Sequence, residues 1–202
     1  MAKAMPTRAA TADRILDAAL DAFGTRGYGA TSLDDLAGDL GIRKQTILYW
    51  YPSKEALLDA AIDRTAAEVT RRLEQAVASA GQGFDRVDAI VRAMFRLAAR
   101  HPPMLGFLRE VSRLGPPASS RLLGAIAPLV ARASGFLADE MDAGRMRRHD
   151  PRLILLAAYS MVTGLATEVE VLRAFGEEPT LPSLVRRRNE LLALLRAALV
   201  PA

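Results

Sequence analysis

The sequence predicts an all-α protein with a small N-terminal three-helix domain and a larger C-terminal helical domain. Apolar residues recur along the chain at three- and four-residue spacing, which is the period of a helix with one buried face. Clusters of glycine and proline separate these segments, as expected where helices end. Half of the 202 residues are hydrophobic, so a sizeable core can form. We assign residues 1–10 to a disordered N-terminus, 11–56 to the small domain and 57–202 to the larger one.

The composition argues against several classes of protein. The chain has no cysteine, which excludes disulfides, thiolate metal sites and cysteine nucleophiles and is consistent with a reducing cytoplasm. Its N-terminus lacks the apolar segment of a signal peptide. The longest uncharged run, residues 153–167, has fifteen residues, whereas a membrane span needs roughly 18 to 20. We therefore expect a cytoplasmic protein without a membrane partner.

Net charge does not identify a partner. The formal charge is +4, yet residues 1–55 contain seven Lys/Arg and seven Asp/Glu, so the excess lies in the remainder of the chain. Any case for nucleic-acid binding must therefore rest on where individual charges lie.

The first helix is predicted to begin at Thr11, whose hydroxyl can cap a helix N-terminus. Residues 24–29 end it. Their glycines follow the pattern G-x-x-G-x-G and come after a helix, whereas a dinucleotide-binding loop has G-x-G-x-x-G after a strand. We interpret this segment as a helix end and turn. The buried face of the first helix is predicted to contain Ile15, Ala19, Ala22 and Phe23.

The next two helices are short and joined by a glycine. Thr31 and Asp34 have the spacing of a capping box at the start of the second helix. Gly41 supplies a tight turn, and the third helix is predicted to run from Lys44 to Tyr51, just before Pro52. Two short helices connected in this way favour a helix-turn-helix.

The third helix has two different faces. Ile47, Leu48 and Tyr51 point one way and are predicted to be core. Glutamine can pair with adenine, threonine can contact a base or the thymine methyl, and a helix N-terminus favours phosphate. The sequence therefore predicts a DNA-reading helix. Its outward face is predicted to contain Gln45, Thr46, Tyr49 and Trp50.

Lys54 follows the good N-cap Ser53, at a position where the helix dipole prefers an acid. A nearby DNA phosphate would account for this lysine. The alternative is an ordinary solvated side chain, which costs only a few tenths of a kcal/mol there.

The larger domain is predicted to contain helices over residues 54–79, 84–100, 104–114 and 118–143, with Pro128 either beginning a new helix or kinking one. Asp150 and Pro151 are typical of a helix start, and residues 176–182 form a loop before the last helix. The last two long helices have enough small and apolar surface for a four-helix-bundle dimer interface. The alternative is that they complete the core of one monomer.

Several of these features resemble the tetracycline-repressor (TetR) family of bacterial transcription regulators. The resemblance covers residues 11–58 and lies in Gly27-Tyr28, in Thr31-Ser32, in the short helix 33–40 and in residues 46–54. It implies an all-α homodimer that binds a palindromic operator through two recognition helices, about 34 to 36 Å apart or somewhat more. Binding of a small molecule would then release the dimer from the operator.

The resemblance also implies roles for individual residues. Positions that usually contact phosphate are Thr31, Lys44, Tyr49 and Lys54, and positions that face base edges are Gln45 and Thr46. Four residues depart from the usual pattern. The family commonly has serine at the position of Arg43, glycine at that of Gln45, tyrosine at that of Leu48 and histidine at that of Trp50. Arg43 and Trp50 remain DNA-binding candidates whose roles are open.

A small-molecule effector is expected among the helices from Phe84 to Met161. Few charges interrupt these helices, which favours an apolar or amphipathic effector over a phosphorylated one. Adaptable apolar side chains are the candidates for its binding site. They are Met94, Met104, Phe107, Phe136, Tyr159 and Met161.

Two other classes of protein fit the sequence less well. An enzyme is disfavoured because the two histidines, His101 and His149, lie in no metal-binding motif, so we expect no catalytic residue, metal or cofactor. An architectural DNA binder or a plain helical interaction module would differ from a regulator in lacking a strong preference for one DNA site. The basic residues 186–188 are interpreted as a solvated face rather than a second DNA site.

Overall fold

The computed structural model describes residues 8–201, with side chains described from Ala10 onward. Within this range the chain forms ten α-helices and no strand, so the all-α prediction is confirmed. The first five helices are α1 (Arg8–Thr25), α2 (Leu33–Leu40), α3 (Lys44–Trp50), α4 (Lys54–Ala78) and α5 (Phe84–Arg100). The others are α6 (Pro102–Leu114), α7 (Ala118–Asp142), α8 (Pro151–Thr167), α9 (Val169–Ala174) and α10 (Leu181–Leu199).

Two predicted N-terminal features are wrong. Helix α1 begins at Arg8, so Thr11 lies inside the helix rather than at its cap. Residues 8–10 are accordingly helical, and the remainder of the predicted disordered segment lies outside the described residues. The capping box of α2 is shifted by one residue, because the Ser32 hydroxyl accepts from the Asp35 amide and the Asp35 carboxylate accepts from the Ser32 amide. This pairing satisfies orphan amides at the start of α2.

The described chain divides into two compact units. The first contains the residues up to Ala67 together with Pro103–Ala125, and the second contains Glu68–Pro102 together with the residues from Ile126 onward. Helices α4 and α7 each contribute residues to both units. The predicted division of roles at residues 56 and 57 stays a prediction.

In the first unit, helices α1, α2 and α3 contact one another. Helix α6 packs against α1, where the ring of Phe107 stacks on that of Phe23 with centroids 6.3 Å apart. The contact is close because both helices have a glycine there. A Cβ on Gly24 would lie 2.1 Å from the Pro103 carbonyl oxygen, and one on Gly106 would lie 2.4 Å from the Gly24 carbonyl oxygen. The two backbones therefore touch directly.

In the second unit, α5, α8 and α10 pack together around an apolar cluster. Met94, Met161 and Leu184 are partly buried against it. We call this group the α5–α8–α10 cluster. Its fully buried members are Phe84, Val91, Phe95, Val162, Leu191, Leu192, Leu195 and Leu199.

Helix α7 continues through Pro128 without a break. Proline removes the amide that would bond the carbonyl of Gly124, and both residues are exposed, so water can satisfy that carbonyl. By length and composition alone α7 is also the one described helix that could cross a membrane. The core helices of other proteins and signal sequences pass the same test.

Candidate DNA-binding surface

Helix α3 is oriented by the turn before it. Gly41 caps α2 in the left-handed conformation, with φ 65° and ψ 35°, which glycine adopts without the strain of a Cβ. Its amide donates to carbonyls of the last turn of α2, and the Ile42 amide donates to the Ala37 carbonyl over 3.0 Å. Arg43 then occupies the N-cap of α3 without a side-chain capping bond.

The inner face of α3 anchors it to the first unit. Ile47 is fully buried, and Leu48 and Tyr51 are half-buried, in agreement with their predicted core role. The Tyr51 hydroxyl donates to the Ala12 carbonyl on α1 over 3.3 Å. Burial, and next the Asp13 carboxylate, raise the pKa of Tyr51. The hydroxyl therefore stays protonated and can serve as a donor at neutral pH.

The outer face of α3 is polar and aromatic. Gln45 is exposed, and Tyr49 is 63% exposed. The Tyr49 ring meets the Trp50 ring edge-on, with centroids 5.2 Å apart. Thr46 and Trp50 are half-buried and follow each other by four residues, so they lie along one side of the helix. An amide, a hydroxyl and two aromatic rings are thus available next to Arg43, which is exposed.

The two candidate lysines have internal partners. Lys44 Nζ lies 2.8 Å from the Asp34 carboxylate of α2. Lys54 Nζ donates to the Tyr28 carbonyl over 2.6 Å and lies 4.1 Å from the centroid of the Tyr28 ring. Lys54 therefore joins the start of α4 to the turn before α2. The place of Lys54 at the N-terminus of a helix did not reveal this role.

Thr31 differs from the other candidates. Its side chain is 1% exposed, and its hydroxyl donates to the Gly27 carbonyl over 2.9 Å. In this conformation the side chain closes the turn before α2 and offers no free hydroxyl to a phosphate.

The sequence did not reveal how many contacts Tyr28 makes with the helices around it. Its amide donates to the Glu110 carboxylate of α6 over 2.8 Å, and its hydroxyl donates to the Glu55 carboxylate over 3.2 Å. Burial and then Glu55 raise the pKa of Tyr28 to about 12. Tyr28 is thereby held by α4 and α6 together. The contact with Glu110 spans 82 residues, so no local pattern could have indicated it.

The six effector candidates belong to different packing groups. Met94 and Met161 pack against the α5–α8–α10 cluster, while Phe136 belongs to a separate cluster around Leu137 and Met141 and lies 5.0 Å below the Arg86 guanidinium. Tyr159 is 48% exposed. The remaining two, Met104 and Phe107, are buried in the first unit.

The structure also exposes an apolar surface on α8 and α10. Leu153, Leu156 and Tyr159 follow one another at three-residue spacing along α8 and are 63%, 59% and 48% exposed. On α10 the exposed apolar residues are Leu181, Val185 and Leu194. Among the described residues no group of three or more His, Asp or Glu side chains is placed to hold a metal ion.

Comparisons with known proteins agree with this geometry. Residues 15–61 match the family described as bacterial regulatory proteins, tetR family. The chain is 26% identical over 147 residues to the HTH-type transcriptional regulator RutR of Escherichia coli strain K12. The aligned region covers 72% of this chain and 69% of RutR.

Two solved structures share the fold across nearly the whole chain. A TetR transcriptional regulator from Chloroflexus aurantiacus J-10-FL superposes with a TM-score of 0.76 and 22% identity, covering 95% of this chain and 97% of that one. The transcriptional regulator FadR from Bacillus subtilis, solved in complex with stearoyl-CoA, has a TM-score of 0.74 and 18% identity, covering 91% and 96%. Residues 15–61 of this chain thus match the tetR family of bacterial regulatory proteins, and the chain as a whole has the fold of solved TetR regulators.

Proposed function

We propose that this protein is a ligand-responsive repressor that binds a palindromic operator as a homodimer. The observation that carries the proposal is the presentation of α3, whose Ile47 is fully buried while Gln45 and Tyr49 face solvent. A helix held by its inner face and polar on its outer face can enter the major groove and contact base edges.

Within this proposal the residues have separate roles. Gln45 and Thr46 read base edges, because an amide and a hydroxyl supply directional hydrogen bonds. Arg43, Lys44 and Tyr49 contact the sugar-phosphate backbone and fix the register. Trp50 packs beneath Tyr49 and orients its ring. Lys54 contacts phosphate while it also holds Tyr28, and Thr31 acts through the turn that it closes.

The dimer is proposed to form through the exposed surface of α8 and α10. An apolar row such as Leu153, Leu156 and Tyr159 is rarely left in water on a monomeric protein. Two copies related by a two-fold axis would cover this surface with its own equivalent, as in a four-helix bundle. Tyr159 is therefore reassigned from the effector site to the dimer contact.

The effector is proposed to be a small amphipathic molecule bound in the second unit, beside the α5–α8–α10 cluster. Met94 and Met161 are partly buried there, and thioether side chains adapt to ligands of different shape. The stearoyl-CoA complex of FadR shows that a protein of this fold accommodates an acyl ligand. We propose that the protein acts without catalytic activity, metal or cofactor. We also propose that it is located in the cytoplasm.

Selection of binding sites from a random double-stranded DNA library tests the proposal. We expect the selected sequences to converge on one inverted repeat whose half-sites are separated by about one helical turn or more. An unselective pool, bound through phosphates alone, would instead indicate an architectural DNA binder. A single, non-repeated motif would contradict the homodimer.

A further inference from the structure

Arg187 on α10 was expected to be solvated, and the structure shows the opposite. Its side chain is 6% exposed, and within the described part of the chain its Nε is buried without a hydrogen-bond partner. Nη1 donates to the Ser183 hydroxyl over 3.0 Å and to the Glu178 carbonyl over 3.5 Å. A buried guanidinium that lacks full hydrogen bonding is costly, because desolvation of the charge is not repaid.

Among the described residues, the only carboxylate paired with Arg187 is one that it shares with Arg186. The nearest paired carboxylate is that of Glu177, 3.7 Å from Nη1. Glu177 already accepts from Arg186 over 2.6 Å through both oxygens and from the Ser183 hydroxyl over 2.7 Å. Two guanidinium groups thus share one carboxylate, and these three side chains carry a net charge of +1. Desolvation lowers the pKa of Arg187, which is consistent with an incompletely compensated cation.

Arg187 lies on α10 between residues that pack in the apolar cluster. Leu184, three residues earlier, packs against the α5–α8–α10 cluster, and Leu191, four residues later, belongs to it. Residues separated by three and four positions lie on the same face of a helix. Arg187 therefore lies at the edge of the cluster on which Met94 and Met161 also pack.

We infer that Arg187 binds the carboxylate of an amphipathic monocarboxylic acid whose apolar part lies along the α5–α8–α10 cluster. A carboxylate would supply the acceptor that Nε lacks and the negative charge that the group around Glu177 lacks. Met94 and Met161 would adapt to the chain or ring of the acid. This inference rests on the proposed function, since it specifies the chemistry of the proposed effector.

A carboxylate from a second protein chain is a poorer match. Nε has no exposed surface, so a side chain approaching α10 from outside would not reach it without rearrangement. A small acid would reach Nε from the cluster by displacing the flexible side chains of Met94 and Met161, which are only partly buried there. The chemical class is accordingly a free acid rather than a protein partner.

The test measures thermal stabilisation of the full-length protein by three acids, octanoate, dodecanoate and 3-phenylpropionate, and by their uncharged primary amides. Arg187→Met keeps the length of the side chain and removes its charge. Arg188→Met makes the same change at the neighbouring arginine, which contacts only Asn189 among the described hydrogen bonds, and serves as the matched control. Operator affinity without any acid is measured in parallel on all three proteins.

We expect at least one acid to raise the melting temperature of the wild type and of Arg188→Met, at a concentration at which its amide has no effect. Arg187→Met should bind that acid at least tenfold more weakly. Equal stabilisation by acid and amide, equal stabilisation of Arg187→Met, or stabilisation by none of the acids would overturn the inference. If the wild type still binds its operator specifically in those cases, the proposed function stands. If the wild type binds no operator specifically, the proposed function is refuted independently of the result with acids.

Discussion

The residues that we propose to contact DNA differ in how many internal partners they already have. Lys44 and Lys54 have partners within the protein at 2.8 Å and 2.6 Å, and the hydroxyl of Thr31 is bonded to Gly27. Gln45 is exposed beside them. Sequence-specific contacts are therefore expected from Gln45, while the cations contribute mainly to affinity.

Gln45→Ala should relax the preference at one base pair of each half-site by about 1 to 3 kcal/mol, because a bidentate amide contact is lost. Binding-site selection with the variant, compared with the wild type, measures this effect. Arg100→Ala, which removes an exposed side chain from the second unit, is the control and should leave the motif unchanged. The same motif for Gln45→Ala would contradict its role as a reader.

Lys54→Ala should weaken binding to all sequences alike and reduce the slope of log K against log salt by about one, because one phosphate contact is lost. Titrations of operator and scrambled DNA at several salt concentrations measure both quantities. Since Lys54 also holds Tyr28, the variant should unfold at lower temperature. A lower melting temperature with an unchanged salt slope would assign Lys54 a purely structural role.

At the scale of helices, local sequence patterns predicted where most helices lie. They did not predict contacts between residues that are distant in sequence. The range of α5 and the caps at Ser53 and Asp150 follow from capping and periodicity. The start of α1 did not, because local signals do not fix the first residue of a helix. Helix α7 passes through Pro128, where the sequence allowed either a kink or a new helix. The sequence also underestimated Arg187, although it occupies the same helical stripe as Leu184 and Leu191.

Alanine substitution should have opposite effects at two helical glycines, Gly106 at the crossing of α1 and α6 and Gly124 on α7. Gly106→Ala should destabilise the protein by about 1 to 3 kcal/mol, because the added Cβ would meet the Gly24 carbonyl at 2.4 Å. Gly124→Ala on α7 has no atom within 4 Å of the new Cβ and should stabilise by about 0.5 to 1 kcal/mol. Urea unfolding of both variants measures the difference. A stabilised Gly106→Ala protein would show that the two helices can separate freely.

At the scale of the whole molecule, the proposed dimer makes the apolar surface of α8 essential. Leu156→Glu would bury a charge at the centre of the interface, so we expect mainly monomer at micromolar concentration and a large loss of operator affinity. Leu123→Glu on α7 is the control, because Leu123 is 62% exposed and Leu156 is 59% exposed. Sedimentation velocity distinguishes the species. Dimers in Leu156→Glu but monomers in Leu123→Glu would assign the interface to α7.

We propose that the outer face of α3 reads one DNA sequence. The most direct test is the ratio of dissociation constants for scrambled DNA and for the selected inverted repeat, measured by fluorescence anisotropy at about 150 mM salt. We expect the repeat to be bound at least about 10³-fold more tightly, as in specific regulators. A ratio close to one, with affinity that depends only on salt, would contradict the claim, because phosphate contacts alone would then account for all binding.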